Sequence, residues 1–291
     1  MRVLALSDVK NWDGYNRLVD RYEPDIVALG GDLTSDGAAH FWQDALEEIP
    51  EFRRERDAFL MRHSFIMHGR RCSLAPKATR VSLAPHKLVK ERPEPFRDVH
   101  EFMEHLSELK TRYKRTPAFL AARKRMHVDK FYDFLRYAGR KCQVVVVKGD
   151  HDDDFPGDYE PQRIDEIPNC REISGKTFTF GEWTFLGLGF QQAGYRRTLR
   201  SIIADFKGRA GIVIAHAPQK NVCLITELRP RLLIRGHHGS GHGLIDGIPA
   251  AFTAHEHAII EIGRTGAARI QGCKNVHTGR ATLVPPAPLL R

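Results

Sequence analysis

Cysteine is scarce and shows no paired pattern. Cys72, Cys142, Cys170, Cys223 and Cys273 are five in 291 residues, scattered and without C-x-x-C spacing. An odd, dispersed set excludes a disulfide framework or a zinc ribbon as the organising device, and it fits a reducing compartment. No apolar run approaches the length of a transmembrane helix. The first apolar run, Val3–Leu6, begins within three residues of Met1 and leaves no room for a signal peptide, so a cytoplasmic location is expected. Internal repeats are also missing. What remains is an ordinary globular composition, 42% hydrophobic and 28% charged, long enough for one large domain or two small ones.

Against that background, short polar clusters follow apolar, strand-like runs. They are Ser7-Asp8-Val9-Lys10 after Val3–Leu6, Gly30-Gly31-Asp32 after Ile26–Leu29, and Gly149-Asp150-His151-Asp152 after Val144–Val147. Ala215-His216-Ala217 follows Ile212–Ile214, and Gly236-His237-His238-Gly239 follows Leu232–Ile234. The carboxyl ends of strands in an open α/β sheet share one crevice, where ligands bind. Asp and His gathered there are the donors that hydrolytic divalent metals take.

The ordered set D-x-x, G-D, G-D-H-D, H and G-H resembles the calcineurin-like metallophosphoesterase superfamily, whose pattern runs D-x-H, G-D, G-N-H-D/E, H and G-H-x-H. The match covers residues 1–50 and about 141–270. The resemblance implies a two-sheet α/β/β/α sandwich of the metallophosphoesterase type and hydrolysis of a phosphate ester at two bridged metals. It also implies that His151 protonates the leaving oxygen, a role that suits imidazole because its pKa lies near neutrality.

Two departures bear on the metal count. Lys10 stands where the family has the His of D-x-H, and Gly239 stands where it has the last His of G-H-x-H; both lost ligands serve the same metal. The other position keeps Asp32, Asp150 (for Asn), His216 and His237, with Asp8 beside them. A protonated lysine has no lone pair to give, so Lys10 is expected to neutralise Asp8 and Asp32 in the emptied pocket. The expectation is one divalent metal per chain, Mn, Zn or Fe. Helix capping is the structural alternative for Asp8. His238, His242, His255 and His257 are read as structural or solvent-facing, with one of them a substitute ligand as the alternative.

Elements expected from periodicity are strands 3–7, 25–29, 142–148, 177–180, 183–188, 211–215 and 231–235, with closing strands near 257–262 and 267–270. Helices are expected over 11–22, 38–49, 195–206 and 221–228, and a loop over 155–165. Residues 51–140 form an insertion holding 22 Lys and Arg against 11 Asp and Glu, whereas the rest of the chain holds 23 against 25. Its flanks read as helices over 52–65, 99–113 and 117–137, around an irregular, proline-bearing stretch at 70–95. The proline-rich tail 276–291 cannot continue a sheet. The core is therefore 1–50 with 141–275, carrying a basic, mainly helical cap. Arg123, Lys124 and Arg125 are the candidates for phosphate or nucleic-acid contact; a solvated lid and a self-association surface are the other readings of the insertion. The expected function is metal-dependent hydrolysis of a phosphate mono- or diester, with a nucleotide or nucleic acid among the candidate substrates. The alternative is a catalytically degenerate phosphoesterase fold that binds or scaffolds.

Overall fold

The computed structural model describes residues 1–9, 11–35, 41–62, 97–206, 211–237, 240–254, 257–263 and 268–274. Lys10, His238, Gly239, His255, the stretch 70–95 and the tail 276–291 lie outside them. The chain divides into two compact units, Met1–Ala38 with Arg125–Arg291, and Ala39–Lys124.

The first unit is a two-sheet α/β sandwich. In one sheet β1 (Arg2–Leu6), β2 (Ile26–Gly30), β3 (Gln143–Val147) and β4 (Cys170–Glu172) run parallel. β11 (His257–Ile262) joins β1 antiparallel and carries β12 (Ala268–Lys274) at the edge. In the second sheet β6 (Trp183–Leu188), β7 (Ile212–His216), β8 (Leu232–Gly236) and β10 (Ile248–Thr253) are parallel. β5 (Thr177–Phe180) and β9 (Ser240–Ile245) close its two edges antiparallel. Each sheet has six strands.

Side chains alternate between two cores because successive strand residues face opposite ways. Val3, Ala5, Ile26, Ala28, Val145 and Val147 meet Phe185, Ile212, Ile214 and Ile234 between the sheets. Leu4, Leu6, Val27, Leu29, Val144 and Val146 point outward against α1 (Tyr15–Tyr22) and α6 (Asp129–Gly139). On the far side Val213, Ala215 and Leu233 pack against α9 (Arg196–Phe206) and α10 (Val222–Thr226). Continuous burial of β1, β2, β3, β7 and β8 follows from this double covering.

Several elements differ from the sequence reading for identifiable reasons. The first helix starts at Tyr15 because Gly14 enters it in the left-handed region, at φ 87°. The helix expected over 117–137 is broken into α5 (Pro117–Arg123), a π-helical turn Lys124–Val128 and α6. The expected loop at 155–165 contains the short α7 (Pro161–Asp165), begun by its proline. The hairpin β9–β10 turns at Asp246-Gly247, with φ 51° and 79°. That Asp-Gly pair is a strong hairpin signal that periodicity alone passed over.

In the second unit α2 (Phe41–Glu47) and α3 (Pro50–Arg62) precede α4 (Arg97–Tyr113) and α5. Phe52 packs edge-on to Tyr113 at 5.5 Å, and the Tyr113 hydroxyl donates to Glu55 Oε1 at 2.6 Å. Thr116 caps α5 by accepting from the Phe119 N–H at 3.2 Å.

The boundary between units falls at Lys124/Arg125 rather than at residue 140. The reason is α6: its apolar stripe Phe131, Phe134 and Leu135 belongs to the core of the first unit, where Trp12 stacks on Phe134 at 4.7 Å. Phe134→Ala is therefore expected to lower the free energy of unfolding by about 3–5 kcal/mol, the usual cost of emptying a buried aromatic site. Urea denaturation monitored by Trp fluorescence measures it; a loss below about 1 kcal/mol would place the helix outside the cooperative core.

Candidate metal centre

The ends of β1, β2, β3, β7 and β8 converge, and the backbone there is unusual. Asp8 lies just past the end of β1, Asp32 follows Gly31 at the end of β2, and His237 directly follows β8; all three lie in the left-handed region, at φ 51°, 53° and 82°. Such conformations cost about 1–3 kcal/mol each in a non-glycine residue and persist only where surrounding contacts enforce them. Here the contacts are close. A Cβ on Gly149 would lie 2.0 Å from Asp32 Oδ1, and one on Gly31 would lie 2.5 Å from His216 Nδ1. The glycines of the two G-D motifs are therefore required by packing of one loop on another, as well as by turn geometry.

Four side chains from four strand ends aim at one point. Asp32, Asp150, His216 and His237 each offer a ligand atom, and these atoms lie within 4.8 Å of one another. His216 is fully buried; its Nδ1 donates to the Gly30 carbonyl at 2.8 Å, which leaves the Nε2 lone pair directed into the cluster. Nε2 is 2.8 Å from Asp150 Oδ1, 3.4 Å from Asp32 Oδ2 and 3.1 Å from His237 Nδ1. His237 Nδ1 is also 3.2 Å from Asp150 Oδ1. Two imidazole nitrogens and two carboxylates are a donor set for a divalent transition metal, and a second contact that fixes a histidine tautomer is typical of metal ligands. The residues fit a metal.

Protonation follows from the same contacts. Burial pushes the Asp32 carboxyl up to about 6, against the opposing pull of His216. Asp150 is desolvated too, but hydrogen bonds and charge from His216 and His237 hold it well below the usual carboxylate range. His216 is raised well above its ordinary value: desolvation alone would lower it, and Asp150 and Asp32 outweigh that.

A further carboxylate builds the site without entering it. Asp152, 1% exposed, accepts from Asp32 N at 3.1 Å, Leu33 N at 2.8 Å, Thr34 N at 2.9 Å, Thr34 Oγ1 at 3.0 Å and Gly149 N at 2.8 Å. Next to it, His151 donates its backbone N–H to Asp32 Oδ1 at 3.0 Å. The His151 ring is held by Asp154, whose Oδ2 is 3.2 Å from Nδ1, while Nε2 faces Asp150 Oδ2 at 3.6 Å. Ser35 Oγ in turn donates to Asp154 Oδ2 at 3.0 Å. Burial would lower the His151 pKa, but Asp32, Asp150 and Asp154 together raise it. Sequence reading assigned no role to Asp154 or to the support that Asp152 gives. The run Asp150-His151-Asp152-Asp153-Asp154 held the signal, since a tight 3₁₀ turn over His151–Asp153 brings i and i+3 together.

Asp8 is not among the four converging residues; it is 3% exposed and accepts the His237 backbone N–H at 3.0 Å through Oδ2. Lys10 lies outside the described residues. His242 is on β9 and His257 on β11, where His257 lies 5.9 Å from the Tyr22 ring; neither joins the cluster. Of the three basic candidates in the insertion, Lys124 and Arg125 are exposed, but Arg123 is 2% exposed and is not presented to a polynucleotide. That expectation is corrected: Arg123 falls on the buried side of α5 with Phe119 and Ala122.

No family model matches this chain, and no curated protein does. Among solved structures it is similar to TT1561 of Thermus thermophilus, at 12% identity and a TM-score of 0.46 over 93% of this chain and 97% of that one. A second crystal structure aligns at 14% identity and a TM-score of 0.47, over 93% of this chain and 98% of its own.

Metal affinity is expected to rise with pH. His216 is raised above 6.5 in the metal-free protein, and a metal needs the Nε2 lone pair, so each step up in pH removes the competing proton. Calorimetric Mn²⁺ titration in two buffers of different ionisation enthalpy should report release of about one proton per ion near neutrality. A pH-independent affinity would remove His216 from the ligand set. Asp152→Asn is expected to cost about 1–3 kcal/mol of stability, because an amide N–H would face backbone donors. It should also weaken metal retention by about 10–100-fold through the displaced Asp32 loop. Full retention of both would show that the two loops hold their positions without it.

Proposed function

We propose that the protein is a metal-dependent phosphoesterase that hydrolyses a phosphate mono- or diester. The convergence of Asp32, Asp150, His216 and His237 beside an oriented His151 carries this reading. The donor set favours one divalent ion, Mn, Zn or Fe, per chain. When bound, such an ion supplies Lewis acidity and lowers the pKa of water. The resemblance in motif order to calcineurin-like metallophosphoesterases supports the same chemistry.

Each protein group then has a definable task. Asp150 and Asp32 provide negative charge, and their own loops are locked by His216 and by the N–H donors of His151 and Asp152's partners. His151 keeps Nδ1 on Asp154, which leaves Nε2 on the side of the cluster. Asp32, Asp150 and Asp154 raise the His151 pKa and so favour its protonated form, which can deliver a proton to a departing alkoxide oxygen. Asp154 keeps the ring turned for that transfer. For Lys10, we propose charge compensation of Asp8 and Asp32, and contact with phosphoryl oxygens.

Metal-loaded protein with a panel of phosphate esters tests the reading directly. His151→Ala should slow alkyl esters by about 10²-fold or more, the usual scale for a positioned general acid. A nitrophenyl ester, whose leaving group departs unprotonated, should be affected far less. Equal losses on both would assign His151 to holding the phosphate. An absence of hydrolysis in protein with a stoichiometric metal would favour a binding module on a phosphoesterase fold.

A further inference from the structure

One surface feature beside the metal cluster has no part in the chemistry above. Phe190 starts the short α8 (Phe190–Ala193), and its half-buried ring lies 5.7 Å from the His237 ring and 6.3 Å from the His216 ring. Tyr195 lies edge-on to Phe190 at 6.2 Å and is 61% exposed, one of only three large hydrophobic side chains so exposed among the described residues. The pair is held firmly. Asn221, fully buried, donates from Nδ2 to the Ala193 and Gly194 carbonyls at 2.7 and 2.9 Å. Gly194 is required behind Phe190, because a Cβ there would lie 2.6 Å from the Phe190 carbonyl oxygen. A rigid support under an exposed tyrosine has no evident use in stability.

Charge points the same way. α9 begins directly after Tyr195 with Arg196 and Arg197, and Arg200 follows one turn on; all three are exposed. None forms an ion pair among the described residues, and the first turn holds no acidic residue. The N-terminus is the positive end of a helix dipole, so cations gathered there repel it and one another. An anionic ligand removes that repulsion.

We infer that Tyr195, backed by Phe190, stacks the base of a nucleotide whose phosphate reaches the metal cluster, with Arg196, Arg197 and Arg200 beside it for further phosphate charge. This rests on the phosphoesterase reading for the fate of the phosphate, and on ring and charge placement for the base. Tyr195 stands two ring contacts from the cluster ligands, through Phe190. Aromatic faces accept any base, so selectivity for adenine over other bases is not expected.

Binding to metal-loaded protein, followed by calorimetry, separates this from hydrolysis. The probes are adenosine 5′-monophosphate and ribose 5-phosphate, which share the phosphate and differ by the base. The nucleotide is expected to bind about 5- to 100-fold tighter, the usual range for one stacked base. Tyr195→Ala should erase that preference, and Tyr195→Phe should keep it, which a merely structural role would not predict. Tetraadenylate distinguishes the source: binding tighter than the monomer, lost in Arg196→Glu/Arg200→Glu, identifies a strand, and equal binding identifies a free nucleotide. Equal affinity for the two phosphates, or a preference that survives Tyr195→Ala in folded protein, would overturn the inference. A base preference in protein that hydrolyses no ester would leave it standing and remove the hydrolytic reading instead.

Discussion

Asp152 accepts hydrogen bonds from two loops that the sequence holds far apart, the turn after β2 and the turn after β3. Its carboxylate is closed off from solvent, and those donors compensate its burial as it compensates theirs. Burial pushes its carboxyl up, while the N–H groups of Thr34, Gly149 and Leu33 favour the ionised form. Removing the acceptor would leave several buried backbone donors unsatisfied at once. The position of Asp32 depends on this arrangement, since its own N–H is one of the donors. Through the His151 N–H, so does the 3₁₀ turn that carries His151 and follows Asp150.

That network explains how left-handed backbone survives at three strand ends. Each such residue costs on the order of 1 kcal/mol or more, and charge-assisted hydrogen bonds contribute a comparable amount each. At Asp32 the bonds from Leu33, Thr34 and His151 surround the strained residue. At His237 the compensating bond comes from Asp8. From this backbone Asp32 and His237 meet Asp150 and His216, so that residues from both sheets share one point.

The sandwich was largely legible because its strands are buried on both faces. Runs such as Val144–Val147 leave little room for another assignment, and the observed β3 follows them. Short elements escaped: β4 has three residues, α7 five and α8 four, too few for periodicity to register. The π-helical turn at Lys124–Val128 shifts the phase of a long helical stripe, so the part that packs on the core could not be separated from the part that does not. At the site, residue types with lone pairs were readable from spacing after strands. Their supports were harder to read: Asp152 acts on backbone from a loop distant in sequence, and the i, i+3 contact of Asp154 with His151 shows only once a turn is placed over His151–Asp153. Arg123 illustrates the opposite error, in which a basic triplet on a helix necessarily places one member on the inner side.

Asp8 serves the site without joining the four converging side chains. Its Oδ2 accepts the His237 backbone N–H, which orients the loop bearing one of the four converging ligands. A carboxylate with that duty remains useful to the Asp32–Asp150–His216–His237 cluster even if it never touches a metal.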